Sequence, residues 1–220
     1  MLVEACVDSV TGALAAAAGG AGRLELCTGL VEGGLTPSTG LVAAVRERVA
    51  APVHVLIRPR GGDFLYDADD ITVMLRDIAG AKRLGVAGVV LGALTAGGRV
   101  DVEHTRFDAL MALGIERVLT SGQAASAEAG MSVIAAMVAQ SVGRIAVMAG
   151  GGINQGNVAR IVRETGVGEI HVRGSRITES GMAFRRAGVL MGKRYEPDEY
   201  RRLETDPVLV RGIVAAVNGW

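Results

Sequence analysis

The residues best suited to chemistry are two Glu-x-Cys pairs, Glu4 with Cys6 and Glu25 with Cys27. Each pair lies at the end of a short apolar run that is typical of a β-strand. Side chains two residues apart share one face of a strand, and adjacent strands lie about 4.8 Å apart. Two thiols and two carboxylates can therefore meet on one surface, where thiolates favour a soft ion such as Cu(I) or Zn(II). The alternative is that both cysteines are small hydrophobic core residues.

Cationic residues follow the third apolar run, and they offer partners for the two glutamates. A buried glutamate is costly unless it is paired or functional. We predict that Arg58 pairs with Glu4 or Glu25, or acts in catalysis, and that Arg60 meets an anionic ligand at the rim. His54 lies early in its strand, which indicates a core histidine.

Glycine-rich turns follow the last two apolar runs, AGGGIN at residues 149–154 and HVRGS at residues 171–175. Turns of this kind before a helix bind phosphate through backbone N–H groups in many barrels, although a tight turn alone also requires glycine. The candidate anion-binding residues are Arg60, Gly150, Gly151, Gly152, Gly174 and Ser175. The catalytic candidates are Glu25 or Asp8 as a general base, Arg58, and His171 as an acid, base or ligand. A packed strand histidine is the alternative for His171.

Seven strand-like runs alternate with helix-like stretches, and these elements must position the residues above. The predicted strands cover residues 2–7, 23–27, 53–57, 88–91, 117–120, 145–148 and 169–172. The predicted helices cover residues 9–18, 38–49, 68–84, 102–113, 126–142, 154–164 and 207–217, with Ser9, Ser38 and Asp67 as N-caps. No GxGxxG motif follows the first strand, so the α/β pattern favours a TIM (β/α)8-type barrel over a doubly wound sheet.

The composition favours one α/β domain over residues 1–220, because 50% of the residues are hydrophobic and 32 are glycine. The 23 basic residues balance the 23 acidic ones, which argues against nucleic-acid or membrane partners. No apolar run reaches the roughly 18 residues of a spanning helix, and no signal peptide is evident. We therefore expect a cytoplasmic protein whose two cysteines stay reduced.

Seven blocks occur in an order that resembles the CutC family, named for copper homeostasis. They are EACVDS (4–9), RLELCTGLVEGGLTPS (23–38), PVHVLIRPRGGDF (52–64), VLTSGQ (118–123), MAGGGI (148–153), EIHVRGS (169–175) and a tail near Tyr195. The resemblance implies a TIM barrel, a cytoplasmic location and a homo-oligomer, a dimer or tetramer. It also implies copper binding, with Cys6 and Cys27 as the Cu(I) ligands, but no reaction, so an enzymatic role stays open.

The chain departs from the family pattern between the fourth and fifth predicted strands. Family members have a strand with a VTFHRAFD-like motif there, whereas TRFD at residues 105–108 runs straight into a helix ending at Gly114. We predict that about one βα unit, the strand-5 region of roughly 25 residues, is missing. The flanking strands then either pair directly or leave two unpaired edges. The missing unit removes a His and an Arg but leaves both Glu-x-Cys pairs.

Three functions are consistent with these residues. The first is copper homeostasis, with Cu(I) on Cys6 and Cys27 and with Glu4, Glu25 or His54 as outer partners. The second is an enzyme that acts on a small phosphorylated or otherwise anionic metabolite. The third is a barrel kept only for interactions. The expected partner is therefore a copper ion or a small anionic ligand.

Overall fold

Parallel strands and intervening helices make up most of the computed structural model, which describes residues 1–97, 116–141, 143, 145–186 and 200–219. The parallel strands are β1 (Leu2–Val7), β2 (Arg23–Leu26), β3 (Val53–Ile57), β4 (Gly88–Leu91), β5 (Arg117–Thr120), β6 (Ala146–Gly150) and β7 (Glu169–Val172). The helices are α1 (Val10–Ala18), α2 (Thr39–Arg46), α3 (Ala68–Arg83), α4 (Met131–Ser141), α5 (Val158–Thr165) and α6 (Pro207–Asn218), with a 3-10 turn at Leu30–Glu32. Among the described residues, none of the helices combines the length and the apolar character needed to cross a membrane.

The parallel strands form a curled sheet in the order β4-β3-β2-β1-β7-β6-β5. Within the described residues, β4 pairs only with β3 and β5 only with β6, so the barrel is open between these two strands. The predicted TIM-type barrel without its strand-5 unit is confirmed. In the part of the chain that the structure describes, the two flanking strands do not pair with each other. The predicted helix at 102–113, the TRFD segment and the tail near Tyr195 lie outside the described residues.

Strict alternation along the strands separates an apolar outer face from a polar inner face. The outward residues of β2 and β3 pack in one hydrophobic cluster beneath the helices, and those of β6 and β7 pack in a second. The outward residues of β1 are shared, with Ala5 and Val7 in the first cluster and Val3 in the second. The inner face therefore receives the remaining side chains, which include Glu4, Cys6, Glu25, His54 and His171. Because parallel strands are covered on both faces, even the charged members of this set are largely buried.

Short polar side chains begin three of the helices, as the sequence predicts. Ser9 accepts a hydrogen bond from the N–H of Gly12, and Ser38 accepts one from the N–H of Leu41. Asp67 accepts from two N–H groups at the start of α3, at 2.9 and 2.8 Å. These bonds satisfy backbone donors that the first helical turn leaves free, and they fix where each helix leaves the strand end.

An antiparallel pair of strands lies between β7 and α6, and the sequence pattern did not predict it. The pair consists of β8 (Ser175–Glu179) and β9 (Arg201–Thr205). The backbone N–H of Asp206 donates to the carbonyl oxygen of Gly174 at 2.8 Å, which ties the start of α6 to the end of β7.

Candidate metal centre

The first two strands bring the two predicted thiols together at the carboxyl end of the sheet. The Sγ atoms of Cys6 and Cys27 lie 3.7 Å apart, and both cysteines are free and buried. The Cys27 thiol also lies 3.6 Å from the carbonyl oxygen of Val7, to which it donates. The hydrogen bond with Cys27, together with burial, raises the pKa of the Cys6 thiol. Cys6 is therefore a protonated thiol, and a metal must displace its proton.

Glu25 and His171, two of the catalytic candidates, lie beside Cys6. One ligand atom from each of these three residues lies within 4.8 Å of the others. The Nε2 atom of His171 is 3.6 Å from Oε2 of Glu25. Burial raises the pKa of Glu25. Burial lowers the pKa of His171, but its hydrogen bonds with Cys6 and Glu4 outweigh that effect and raise it well above the usual value.

Glu4 holds His171 from the other side. Its Oε1 atom accepts a hydrogen bond from Nδ1 of His171 at 2.9 Å, and its Oε2 atom accepts one from Nε of Arg23. Burial raises the pKa of Glu4, but the hydrogen bonds and positive charges of His171 and Arg23 lower it to about 2. Glu4 is therefore a fully buried carboxylate that keeps its charge because two cationic groups bind it.

Arg23 is a functional neighbour that the sequence interpretation missed. It lies directly opposite Glu4 in the β1–β2 register, and its Nη2 atom also bonds to Glu169 on β7 at 2.6 Å. The signal was available, because Arg23 is two residues before Glu25 and so shares its strand face. His54 lies on the same inner face, with Nδ1 3.9 Å from Oε2 of Glu4, and burial lowers its pKa.

Arg58 has a different role from the predicted ion pair with Glu4 or Glu25. Its guanidinium donates to three backbone carbonyls, those of Glu32 (2.6 Å), Gly34 (2.9 Å) and Gly62 (2.7 Å). The predicted pairing is wrong because Arg58 lies past the end of β3, where it reaches loops, while Arg23 occupies the position opposite Glu4. Arg58 therefore ties the loop after β2 to the turn after β3.

Two further candidates, Arg60 and Asp8, follow β3 and β1 and are not part of the Cys6 cluster. Arg60 donates to Asp70 at 2.9 Å and to Asp63 at 3.4 Å, so two carboxylates already balance its positive charge. Asp8 is half-buried directly after β1, and it is not among the donor atoms that converge on Cys6. Anion binding by Arg60 and general-base action by Asp8 stay predictions.

The glycine-rich turns have structural reasons for their glycines. Gly151 and Gly152 have φ angles of +102° and +70°, which side chains rarely adopt. A Cβ at Gly174 would lie 2.7 Å from a methyl group of Val210, so this turn needs glycine for close packing against α6. Ser175 pairs with Thr205 at the start of the β8–β9 pair. Anion binding by Gly150, Gly151, Gly152, Gly174 and Ser175 stays a prediction.

Comparison of the sequence with known proteins gives consistent matches. A model of the CutC family matches residues 1–107 and 103–176. A copper homeostasis protein cutC homolog from Mus musculus is 44% identical over 240 residues, which cover 97% of this chain and 88% of the relative. A CutC family protein from Bacteroides thetaiotaomicron is 40% identical over 241 residues, which cover 97% of each chain. Both alignments are longer than this 220-residue chain, so the relatives carry residues that it lacks. The family match also breaks where the missing unit is predicted.

Solved structures show the same fold. The crystal structure of CutC from Streptococcus agalactiae superposes with a TM-score of 0.70 at 30% identity and covers 78% of this chain and 98% of its own. Phosphoribosylanthranilate isomerase from Thermotoga maritima has a TM-score of 0.54 at 12% identity over all of both chains. The second likeness concerns the barrel architecture alone.

Proposed function

The chain belongs to the CutC family, and from this premise we propose that it is a copper homeostasis protein that binds Cu(I) through Cys6 and Cys27. The observation that carries the proposal is the 3.7 Å distance between the two Sγ atoms. A metal–thiolate bond of about 2.3 Å, as in zinc sites, lets one ion reach both sulfurs without any movement of β1 or β2. Soft thiolate ligands select Cu(I) over harder ions.

The cellular setting belongs to the same proposal. A reducing cytoplasm keeps two thiols this close from forming a disulfide, so that both stay available to copper. The balanced charge of the chain offers nothing to nucleic acid or to anionic lipid. We expect a homo-oligomer, a dimer or tetramer, and light scattering at the mass of one 22.6 kDa chain would contradict that expectation.

An enzyme that acts on a small phosphorylated or otherwise anionic metabolite is the second candidate. The observation in its favour is the close approach of Glu25 and His171, 3.6 Å apart near the carboxyl ends of barrel strands. However, the guanidinium of Arg58 is bound by carbonyls and that of Arg60 by carboxylates, so an anion would have to displace these partners. If this function holds, Glu25→Gln stops turnover and leaves ligand binding intact.

The copper proposal is tested by anaerobic titration of the reduced protein with Cu(I) against a competing chromophoric chelator. We expect the double variant Cys6→Ser, Cys27→Ser to bind Cu(I) at least about 100-fold more weakly than the unmodified chain. Met182→Leu, which removes an exposed thioether, serves as the control and should bind as the unmodified chain does. Unchanged affinity in the folded double variant, as judged by circular dichroism, would exclude the two thiols as the copper site.

A further inference from the structure

We propose that Cys6, Glu25 and His171 form a second metal site, which takes Zn(II). The three side chains come from β1, β2 and β7, which are neighbours in the sheet. The site shares Cys6 with the proposed copper site, but it does not depend on copper binding because Cys27 is not among its donors. One thiolate sulfur, one imidazole nitrogen and one carboxylate oxygen are a donor set that suits Zn(II) better than Cu(I).

The donor atoms already lie close to the spacing that a zinc ion requires. All three lie within 4.8 Å of one another, and Nε2 of His171 is 3.6 Å from Oε2 of Glu25. Ligands of a tetrahedral zinc ion, with bonds of about 2.0 to 2.3 Å, are about 3.3 to 3.8 Å apart. Side-chain rotations therefore bring the donors into place without a shift of the strands.

Glu4 gives His171 the orientation that zinc ligands have in proteins. Its fully buried carboxylate accepts a hydrogen bond from Nδ1 of His171 at 2.9 Å. A zinc-bound histidine almost always donates its second ring N–H to a carboxylate, a carbonyl or water. Held in this way, His171 directs Nε2 toward Glu25. The contact with Glu4 is independent of the three donors and points to the same site.

The charges of the three donors favour Zn(II) over Cu(I) at this site. Glu4, Arg23, Glu169 and Arg117 form a chain of ion pairs beside the donors, with two carboxylates and two guanidiniums. At its outer end, Arg117 also pairs with the exposed carboxylate of Glu116 at 3.0 Å. The donors themselves, once bound, are a thiolate, a carboxylate and a neutral imidazole, with two negative charges in total. Zn(II) cancels both of these charges, whereas Cu(I) bound to the same three donors would cancel only one.

Three protein donors leave the fourth position of a tetrahedral zinc ion for water or for an oxygen atom of a small ligand. This composition is that of catalytic zinc sites, since structural sites use four protein ligands. The donors lie near the carboxyl ends of the strands, where barrel active sites are found, and the His171 side chain is 16% exposed. One of the three donor residues is therefore partly exposed to solvent.

The experiment titrates the reduced, full-length protein with Zn(II) against a chromophoric chelator and repeats the titration with Co(II) as a spectroscopic probe. Two variants separate the sites. Glu25→Gln removes a zinc donor and keeps both thiols, and Cys27→Ser removes a copper ligand and keeps all three zinc donors. We expect Glu25→Gln to lose at least about tenfold in Zn(II) affinity, since mutation of even the outer neighbours of zinc ligands lowers metal affinity by about 10- to 100-fold. Cys27→Ser should stay within about threefold of the unmodified chain. In Cu(I) titrations we expect the opposite pattern. Cys27→Ser should lose affinity, and Glu25→Gln should bind as the unmodified chain does.

Three results would overturn the zinc site. They are no Zn(II) binding by the folded protein, Zn(II) binding lost in Cys27→Ser, and Zn(II) binding unchanged in Glu25→Gln. If a variant does not fold, the Co(II) spectrum of the unmodified protein decides, because its sulfur-to-cobalt band reports one thiolate for this site and two for the copper pair. Failure of the copper proposal appears separately, as Cu(I) binding that persists in the variant without both cysteines.

Discussion

Replacement of Glu4 by Gln tests whether the buried ion network stabilises the barrel. Glu4 is fully buried and accepts hydrogen bonds from Arg23 and His171. These partners lower its pKa from 4.5 to about 2, which corresponds to about 3 kcal/mol at about 1.36 kcal/mol per pKa unit. Because the pKa is lower in the folded state, this stabilisation is complete above about pH 4.5 and is lost as the pH falls toward 2. We expect Glu4→Gln to lower the free energy of unfolding at neutral pH by about 3 kcal/mol.

The measurement is urea unfolding, followed by circular dichroism, at neutral pH and at steps down to about pH 3. The variant should lose less stability than the unmodified chain over the acid steps, since it lacks the titrating group. Glu164→Gln is the control, because Glu164 is 47% exposed in a surface pair with Arg160 and should cost under about 0.5 kcal/mol. A loss below about 1 kcal/mol for Glu4→Gln, or an acid dependence equal to that of the unmodified chain, would refute the reasoning.

Three further substitutions, one of them with a matched control, test the packing, loop and helix-cap contacts by the same unfolding assay. A Cβ at Gly130 would overlap the carbonyl oxygen of Ser121, so Gly130→Ala should cost about 3 kcal/mol, whereas Gly168→Ala, in open space, should change stability by at most about 1 kcal/mol. Equal losses of stability in Gly130→Ala and Gly168→Ala would contradict the predicted overlap with Ser121. Arg58→Met leaves three carbonyls without their donor and should lower the free energy of unfolding by about 3 kcal/mol. It should also make residues 29–36 accessible to proteases, and protease resistance equal to that of the unmodified chain would contradict this role of Arg58. Asp67→Ala removes the cap of α3 and should cost about 1 kcal/mol, and a neutral result would exclude the capping role.

The cluster of Cys6, Glu25 and His171 could be predicted in outline because strands alternate with a period of two. The Glu-x-Cys spacing places each carboxylate on the face of its cysteine, and the register brings the two strands side by side. The partner of Glu4 could not be predicted from the strand ends alone. It depends on the register that sets Arg23 opposite Glu4, whereas Arg58 lies past a strand end, where alternation no longer fixes a direction.

The β8–β9 pair escaped prediction for a different reason. Its strands are polar, with SRITE at residues 175–179 and RRLET at residues 201–205, and they face solvent more than the barrel strands do. More than twenty residues separate them, so no tight-turn motif marks a hairpin. The end of β6 was predicted two residues early, because Gly150 closes the strand and glycine normally indicates a turn.

The missing βα unit lies away from the strands that carry the candidate metal centre. The metal donors and three of the four residues of the supporting ion-pair chain lie on β2, β1 and β7, which are the third, fourth and fifth strands of the seven-stranded sheet. The fourth residue of that chain, Arg117, lies on β5. The gap falls between β4 and β5, at the two ends of that order. Every strand that carries a donor therefore keeps a hydrogen-bonded strand on each side, and its backbone is held as in a closed barrel. We expect metal binding to depend on Cys6, Cys27, Glu25 and His171, and not on closure of the barrel.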